Sequence, residues 1–303
     1  LEANLLPKSP VAAYLASVPK GPLDTLKYAD ESSSVVCAAK LGDTHPLVEW
    51  GIALVRSMAE KNDRSIDAWA AKARQAAEGY GGEVAFALDA RLPISGVTVM
   101  RMKDAATARA EIEKMVDMMA PLTNVYQANG MQMKLADAAP VTQYAGQSIW
   151  QRNYSFDLTL TNQPEAQKAA SLAIEKMYGK EMRLASTVVG SDAINAMGAN
   201  SLDRAKTILD GKVKPITASE DFKALYAAAP ADTQVVVYAR VTSLISMGMD
   251  MARSMMEGAR KEGQPLPEIP QVTFARGPGM LLTLRATPSG LAGELALPAA
   301  EIK

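Results

Sequence analysis

The chain repeats itself at a nearly fixed distance. The apolar run Val35-Val36-Cys37-Ala38-Ala39-Lys40-Leu41 returns 200 positions later as Val235-Val236-Val237-Tyr238-Ala239-Arg240-Val241. Just beyond, Leu47-Val48, Gly51, Arg56-Ser57-Met58 and Glu60 correspond to Leu244-Ile245, Gly248, Arg253-Ser254-Met255 and Glu257 at a distance of 197. Leu88 and Ala90 then align with Leu284 and Ala286, and Gly96 with Gly293. An offset that survives a strand-like run, a helix-like run and a pair of alternating runs describes two related units, each strand, helix, strand, strand. This is the pattern of an α+β fold: antiparallel sheets covered by helices on one face, and a pseudo-twofold duplication. The two units could join edge to edge or pack about the pseudo-twofold axis. The expected organisation is a first unit at 1–120, an intervening strand-helix region at 121–215 and a second unit at 216–303, with residues 120–214 outside the repeat.

Local signals fill in the elements. Pro7, Pro10, Pro19 and Pro22 punctuate an irregular lead-in, with a strand expected at Val11–Val18. Thr44 stands where an N-cap is needed and Pro46 at the first turn of a helix whose apolar face is Leu47, Val48, Leu54, Val55 and Met58. A second helix follows Ser65 and stops at the Gly79–Gly82 cluster, and Glu83–Leu88 with Gly96–Met102 reads as a hairpin. Thr98 and Met100 alternate with Val97 and Val99, so burial on both faces is expected there. Asp104 caps the next helix. Strands are expected at 131–136, 141–144, 148–154, 156–160 and 183–189, and helices at 164–178, 201–209 and 220–228. In the second copy, Thr242 or Ser243 caps a helix running to Arg260, residues 264–270 form a linker, and a hairpin surrounds Pro288-Ser289-Gly290.

Composition removes several function classes. With 32 basic and 33 acidic side chains and no run of either sign, the chain has no broad electrostatic footprint for nucleic acid. No apolar stretch reaches the roughly 18 residues of a membrane helix. The single cysteine and single histidine exclude an intrachain disulfide, a cysteine-rich metal site and a histidine-rich one. His45, beside Pro46 at a helix start, reads as structural. Cys37, whose counterpart is Val237, reads as a small strand residue. The glycine clusters Gly79-Tyr80-Gly81-Gly82 and Gly277-Pro278-Gly279 precede strands, whereas a phosphate-cradling loop follows one, so they read as turns. Carboxylates such as Glu111 with Glu113, or Glu175 with Glu181, fall on charged surfaces, and nothing sets two of them across a cleft. The chain begins Leu1-Glu2 rather than with Met, so a missing targeting segment does not speak for the cytosol.

The remaining oddity is methionine, 17 in all, against an aromatic content of 5%. Met247, Met249, Met251, Met255 and Met256 crowd one helix, and Met115 and Met119 belong to a second cluster. At helical spacing they form a broad apolar stripe opposite Asp250, Arg253 and Glu257. Such a stripe is core, or an adaptable groove for a ligand or partner; thioethers also bind Cu(I), the weakest of the three readings.

Two phrases carry a resemblance. Ser219-Glu220-Asp221-Phe222-Lys223 leads through Pro230-Ala231-Asp232-Thr233 into Val235-Val236-Val237-Tyr238, and Gly82-Glu83-Val84-Ala85-Phe86-Ala87-Leu88 leads to the Lys103-Asp104 helix start. They resemble uncharacterised bacterial secreted or lipoprotein-like envelope families of unknown function with duplicated α+β units. The resemblance implies a periplasmic, secreted or envelope-attached location and assigns no site residue. The expected function is a non-catalytic envelope protein that binds a protein partner or an apolar ligand between its two units, without a cofactor. The alternatives are a hydrolase whose acidic or hydroxyl site assembles only in three dimensions, and a structural assembly subunit.

Overall fold

A computed structural model of the chain describes residues 2–4, 10–58, 64–114, 131–135, 141–158, 164–259, 277, 279–287 and 290–298. The short strand β1 (Glu2–Asn4) is followed by α1 (Pro10–Ser17). The latter replaces the strand expected at Val11–Val18: Pro10 occupies the first helical position, and Ala12, Ala13, Leu15 and Ala16 are strong helix formers. After a 3₁₀ turn at Asp24–Tyr28 come β2 (Val35–Lys40), α2 (His45–Met58), α3 (Arg64–Glu78), β3 (Tyr80–Asp89), β4 (Ser95–Met102) and a helix at 105–114, α4. The middle of the chain holds β5 (Met131–Leu135), β6 (Val141–Tyr144), β7 (Gln147–Leu158), α5 (Pro164–Tyr178), β8 (Met182–Val189), β9 (Asp192–Met197) and α6 (Ser201–Leu209). Last come α7 (Glu220–Tyr226), β10 (Val235–Ala239), α8 (Val241–Ala259), β11 (Met280–Thr287) and β12 (Gly290–Ala296).

The twelve strands among the described residues belong to one antiparallel sheet, in the order β1-β12-β11-β10-β2-β3-β4-β9-β8-β7-β5, with β6 paired to β7. The expected boundaries at 120 and 215 therefore divide the chain but not the sheet. The two expected strands at 148–154 and 156–160 are one, β7, because no glycine or proline interrupts Tyr154-Ser155-Phe156. Strand β9 was unforeseen: Asp192-Ala-Ile-Asn-Ala-Met197 is rich in poor strand formers, and it is held by pairing on both sides, to β4 and β8. With β9 in place, the middle region also runs strand, helix, hairpin, helix (β7, α5, β8, β9, α6), the order of β2, α2/α3, β3, β4, α4. The segment expected to lie outside the repeat thus shares its element order.

The two segments that share the sequence offset meet edge to edge through β2 and β10. Cys37 pairs with Val237, Val36 with Tyr238 and Ala38 with Val236. Outward from that junction, the rung Val35–Leu88–Gly96 on one side matches Val235–Leu284–Gly293 on the other.

One face of the sheet is the main core. Val36, Ala38, Ala85, Ala87, Val97, Val99, Ile194, Ala196, Val236, Tyr238 and Leu281 are all at most 4% exposed. Leu23, Leu26 and Tyr28 of the 3₁₀ segment, Ile208 of α6, Ile216, and Phe222 with Leu225 of α7 cover them. Helices occupy the other face as well, where Ala108 and Ile112 of α4 pack with Met102, Val188 and Ala193, so the expectation of helices on one face only is corrected. No helix among the described residues is long and apolar enough to cross a membrane.

Candidate binding face

Side chains alternate across a strand, so each strand of the core also presents residues to the opposite side of the sheet. On β11, β10, β2 and β3 the register sets these in three rows: Leu284–Val235–Ala39–Val84, Leu282–Val237–Cys37–Phe86 and Met280–Ala239–Val35–Leu88. No side chain among the twelve carries a charge. Eleven are half-buried and Phe86 is 37% exposed. Strand spacing and rise make the patch about 14 Å by 14 Å. The helices that could close it take other partners: α8 packs mainly on α5 and α2 on α3, where exposed Arg74–Glu49 and Arg56–Asp67 ion pairs tie the rims. The result is an apolar face left half-open, with the junction of the two units running through its middle.

Beyond the last of these rows the wall turns polar. Ser34 and Asp89, the chain neighbours of Val35 and Leu88, turn to the core side of the sheet, and α8 begins two residues after Ala239. Here a cavity of about 360 Å³ is lined by Ser32, Ser34, Asp89, Ala90, Arg91 and Leu92 on the sheet side. Thr242, Ser243, Ser246, Met247 and Asp250 of α8 line the other side. Burial pushes the Asp89 carboxyl up, but the side chain and amide N–H of Arg91 outweigh it and hold the carboxyl below its usual range. Asp250 accepts a hydrogen bond from Arg253 at 3.1 Å. Ser34 Oγ accepts from the Ala90 amide at 3.2 Å, and Thr242 Oγ1 from Gly277 N–H at 3.2 Å. The expected capping role of Thr242 or Ser243 is therefore corrected: the carbonyl of Arg240 receives the Ser243 and Leu244 amides. Arg240 is itself held rigid, 1% exposed, donating to the carbonyls of Ser33 and Glu31 and lying 3.7 Å from Asp221.

Of the methionines, Met247 reaches the cavity. Met249, Met251 and Met256 are half-buried and Met255 is 49% exposed, so none of the five belongs to the packed core. Met115 and Met119 lie outside the described residues, as does the 264–270 linker. Cys37 sits at the centre of the apolar face, its thiol pushed up by burial. His45 is exposed, with Nδ1 2.8 Å from Asp43 Oδ1. That same oxygen accepts the His45 amide, while Thr44 Oγ1 donates to the Ala77 carbonyl instead of capping α2. Asp104 does cap α4, accepting the Thr107 amide at 2.7 Å.

Carboxylates do converge, but not those the sequence singled out. Arg101 on β4 donates to Asp192 at 2.9 Å, to Asp24 at 3.2 Å and to Glu83 at 3.3 Å. Tyr28 OH donates to Asp192, and the Thr25 amide to Glu83. The residues of this cluster come from β3, β4, β9 and the 3₁₀ turn, far apart in the chain. Glu83 and Asp192 are 2% and 3% exposed and already bonded, which makes the cluster a clamp for the lead-in segment rather than a free acid–base pair. Among the described residues no group of acidic, histidine and cysteine side chains is arranged to hold a metal. On the helix-covered part of the sheet, Arg152 donates to the Ile112 carbonyl at 2.6 Å and to Ser186 Oγ at 3.4 Å, pinning α4.

Comparison with protein-family models, curated proteins and solved structures finds no match to this chain.

Proposed function

We propose that this chain is a non-catalytic binding protein for an apolar ligand, held on the half-open sheet face across the β2–β10 junction. One observation carries the reading. The same strands that present side chains at most 4% exposed to one side present a continuous apolar patch to the other, half-buried and bordered by helices that pack on one another. Contiguous apolar surface on a monomer marks an interaction site, and the methionines of α8, outside the core, supply adaptable apolar contacts beside it.

We also infer that the β2–β4 and β10–β12 units are duplicated copies about a twofold axis through the Cys37–Val237 pair. Two features support this: residues equivalent in the sequence repeat face one another at that pair, and the flanking rungs match. On this reading the ligand spans both copies. An envelope location rests on the resemblance of the 219–238 and 82–104 segments and is tested by fractionating the native cell.

Titration with the neutral dye N-phenyl-1-naphthylamine tests the binding reading. Saturable fluorescence enhancement is expected, weakened about tenfold in Phe86→Ser, whose ring is partly exposed and contributes on the order of 1–2 kcal/mol of apolar contact. Absence of saturable binding, or equal binding by the variant, contradicts it. A second reading, docking of a protein partner, draws on α2, where Leu47, Trp50 and Leu54 lie exposed at helical spacing.

A further inference from the structure

The polar cavity at the end of the apolar face is the place for a ligand's head group, and its chemistry names the class. Every charge in its wall has an opposite charge beside it. Asp89 is bonded by Arg91 through several contacts, and Asp250 by Arg253. A fixed anion would have to compete with Asp89 for Arg91, and a fixed cation with the guanidinium groups for the carboxylates. The groups left over are hydroxyls: Ser32, Ser243 and Ser246 line the cavity and give their side-chain oxygens to no partner among the described residues. Each can donate and accept, which matches an uncharged polyol. The volume of about 360 Å³ is at the small end of ligand cavities, enough for one compact head.

The cavity also adjoins apolar surface. Leu92 and Met247 line it, and its α8 wall begins two residues after Ala239, which stands in the last apolar row. The geometry points to an amphiphile with a neutral, polyhydroxylated head: hydroxyl groups in the cavity among Ser32, Ser243 and Ser246, and the hydrocarbon tail on the apolar sheet face. This inference rests on the binding function proposed above and adds the class of head group.

The test compares three probes with tails of closely matched length on the intact chain: n-octyl β-D-glucoside, octanoate and octyltrimethylammonium, each below its micellar concentration, by displacement of the bound dye. The glucoside is expected to bind about tenfold tighter than either charged probe, from two or three added hydrogen bonds. The double variant Ser243→Ala, Ser246→Ala should lose that advantage while octanoate affinity stays unchanged; both substitutions favour the helix, so the fold is retained. Equal affinity for the three probes, or an advantage that survives the double variant, overturns the head-group assignment and leaves the apolar-face reading standing. Failure of all three probes and of the dye overturns the apolar-face reading, and the head-group assignment with it.

Discussion

At the scale of single residues, two positions show how sequence identity is tied to geometry. Gly279 lies under the Tyr238 ring, and a Cβ there would collide with the ring at Cε2 and Cζ. Tyr238 is fully buried and stacked edge-on against Phe222, 5.4 Å between centroids, so the ring has no room to withdraw. Gly279→Ala is expected to lower stability by about 2 kcal/mol through overpacking, read from the urea midpoint; an unchanged midpoint would mean that the ring moves freely. Gly279 is thus required for packing, whereas Gly82, with φ +91°, lies within β3 at the register shift between Tyr80 and Glu83, so its freedom serves a strand irregularity and not the turn expected of its cluster.

Asp89 supplies the pH dependence. Its carboxyl is held below the usual range in the folded chain, so its ionised form stabilises the fold above the unfolded value of about 3.9. That stabilisation is lost as pH falls through the lower folded value. Asp89→Asn should therefore be less stable than the native chain at pH 7, and the gap should close as pH falls below about 4, followed by urea unfolding at each pH. A gap independent of pH would place the effect in packing instead of in the Arg91 pair.

At the scale of elements, the helices and hairpins were legible because their signals are local. The spans expected at 164–178 and 201–209 agree with the structure, and both hairpins of the repeat stand where the alternating runs placed them. What failed were elements decided by their neighbours. Strand β9 carries Asp, Asn and three small or flexible residues, and only the flanking strands make it a strand. The clamp around Arg101 joins four segments with no spacing in common. Its energetic role is testable: Arg101→Met leaves Glu83 and Asp192 buried without their guanidinium, which should cost about 3 kcal/mol. Hydrogen exchange should quicken first at the Thr25 amide, which donates to Glu83 at 2.6 Å. Loss of stability without faster exchange at Thr25 would show that the cluster does not hold the lead-in.

At the scale of the whole molecule, the α+β class was legible from the alternating runs and helical periodicities, and the two segments related by the offset near 200 residues lie side by side in the one sheet, where β2 and β10 complete each other's edges. Less legible was the asymmetry between the faces. Val35–Ala39 and Val235–Ala239 are apolar on both sides of the strand, which reads as burial on both faces. Only the packing of α8 on α5 and of α2 on α3 reveals that one face is left half-open. The polar cavity was equally hidden, since its lining comes from three segments far apart in the chain, and of the methionines flagged in the sequence that are among the described residues Met247 alone reaches it.

The central claim is that an apolar ligand covers the sheet face at the β2–β10 junction, and the chain carries its own reporter there. Cys37, the single thiol, lies in the middle row of that face, half-buried and with its thiol pushed above the usual range. Alkylation of Cys37 by iodoacetamide in the folded protein is the direct measurement. The reaction should be slow at pH 8, faster as pH rises, and suppressed by a saturating apolar ligand such as N-phenyl-1-naphthylamine. An alkylation rate that saturating ligand leaves unchanged would contradict the claim.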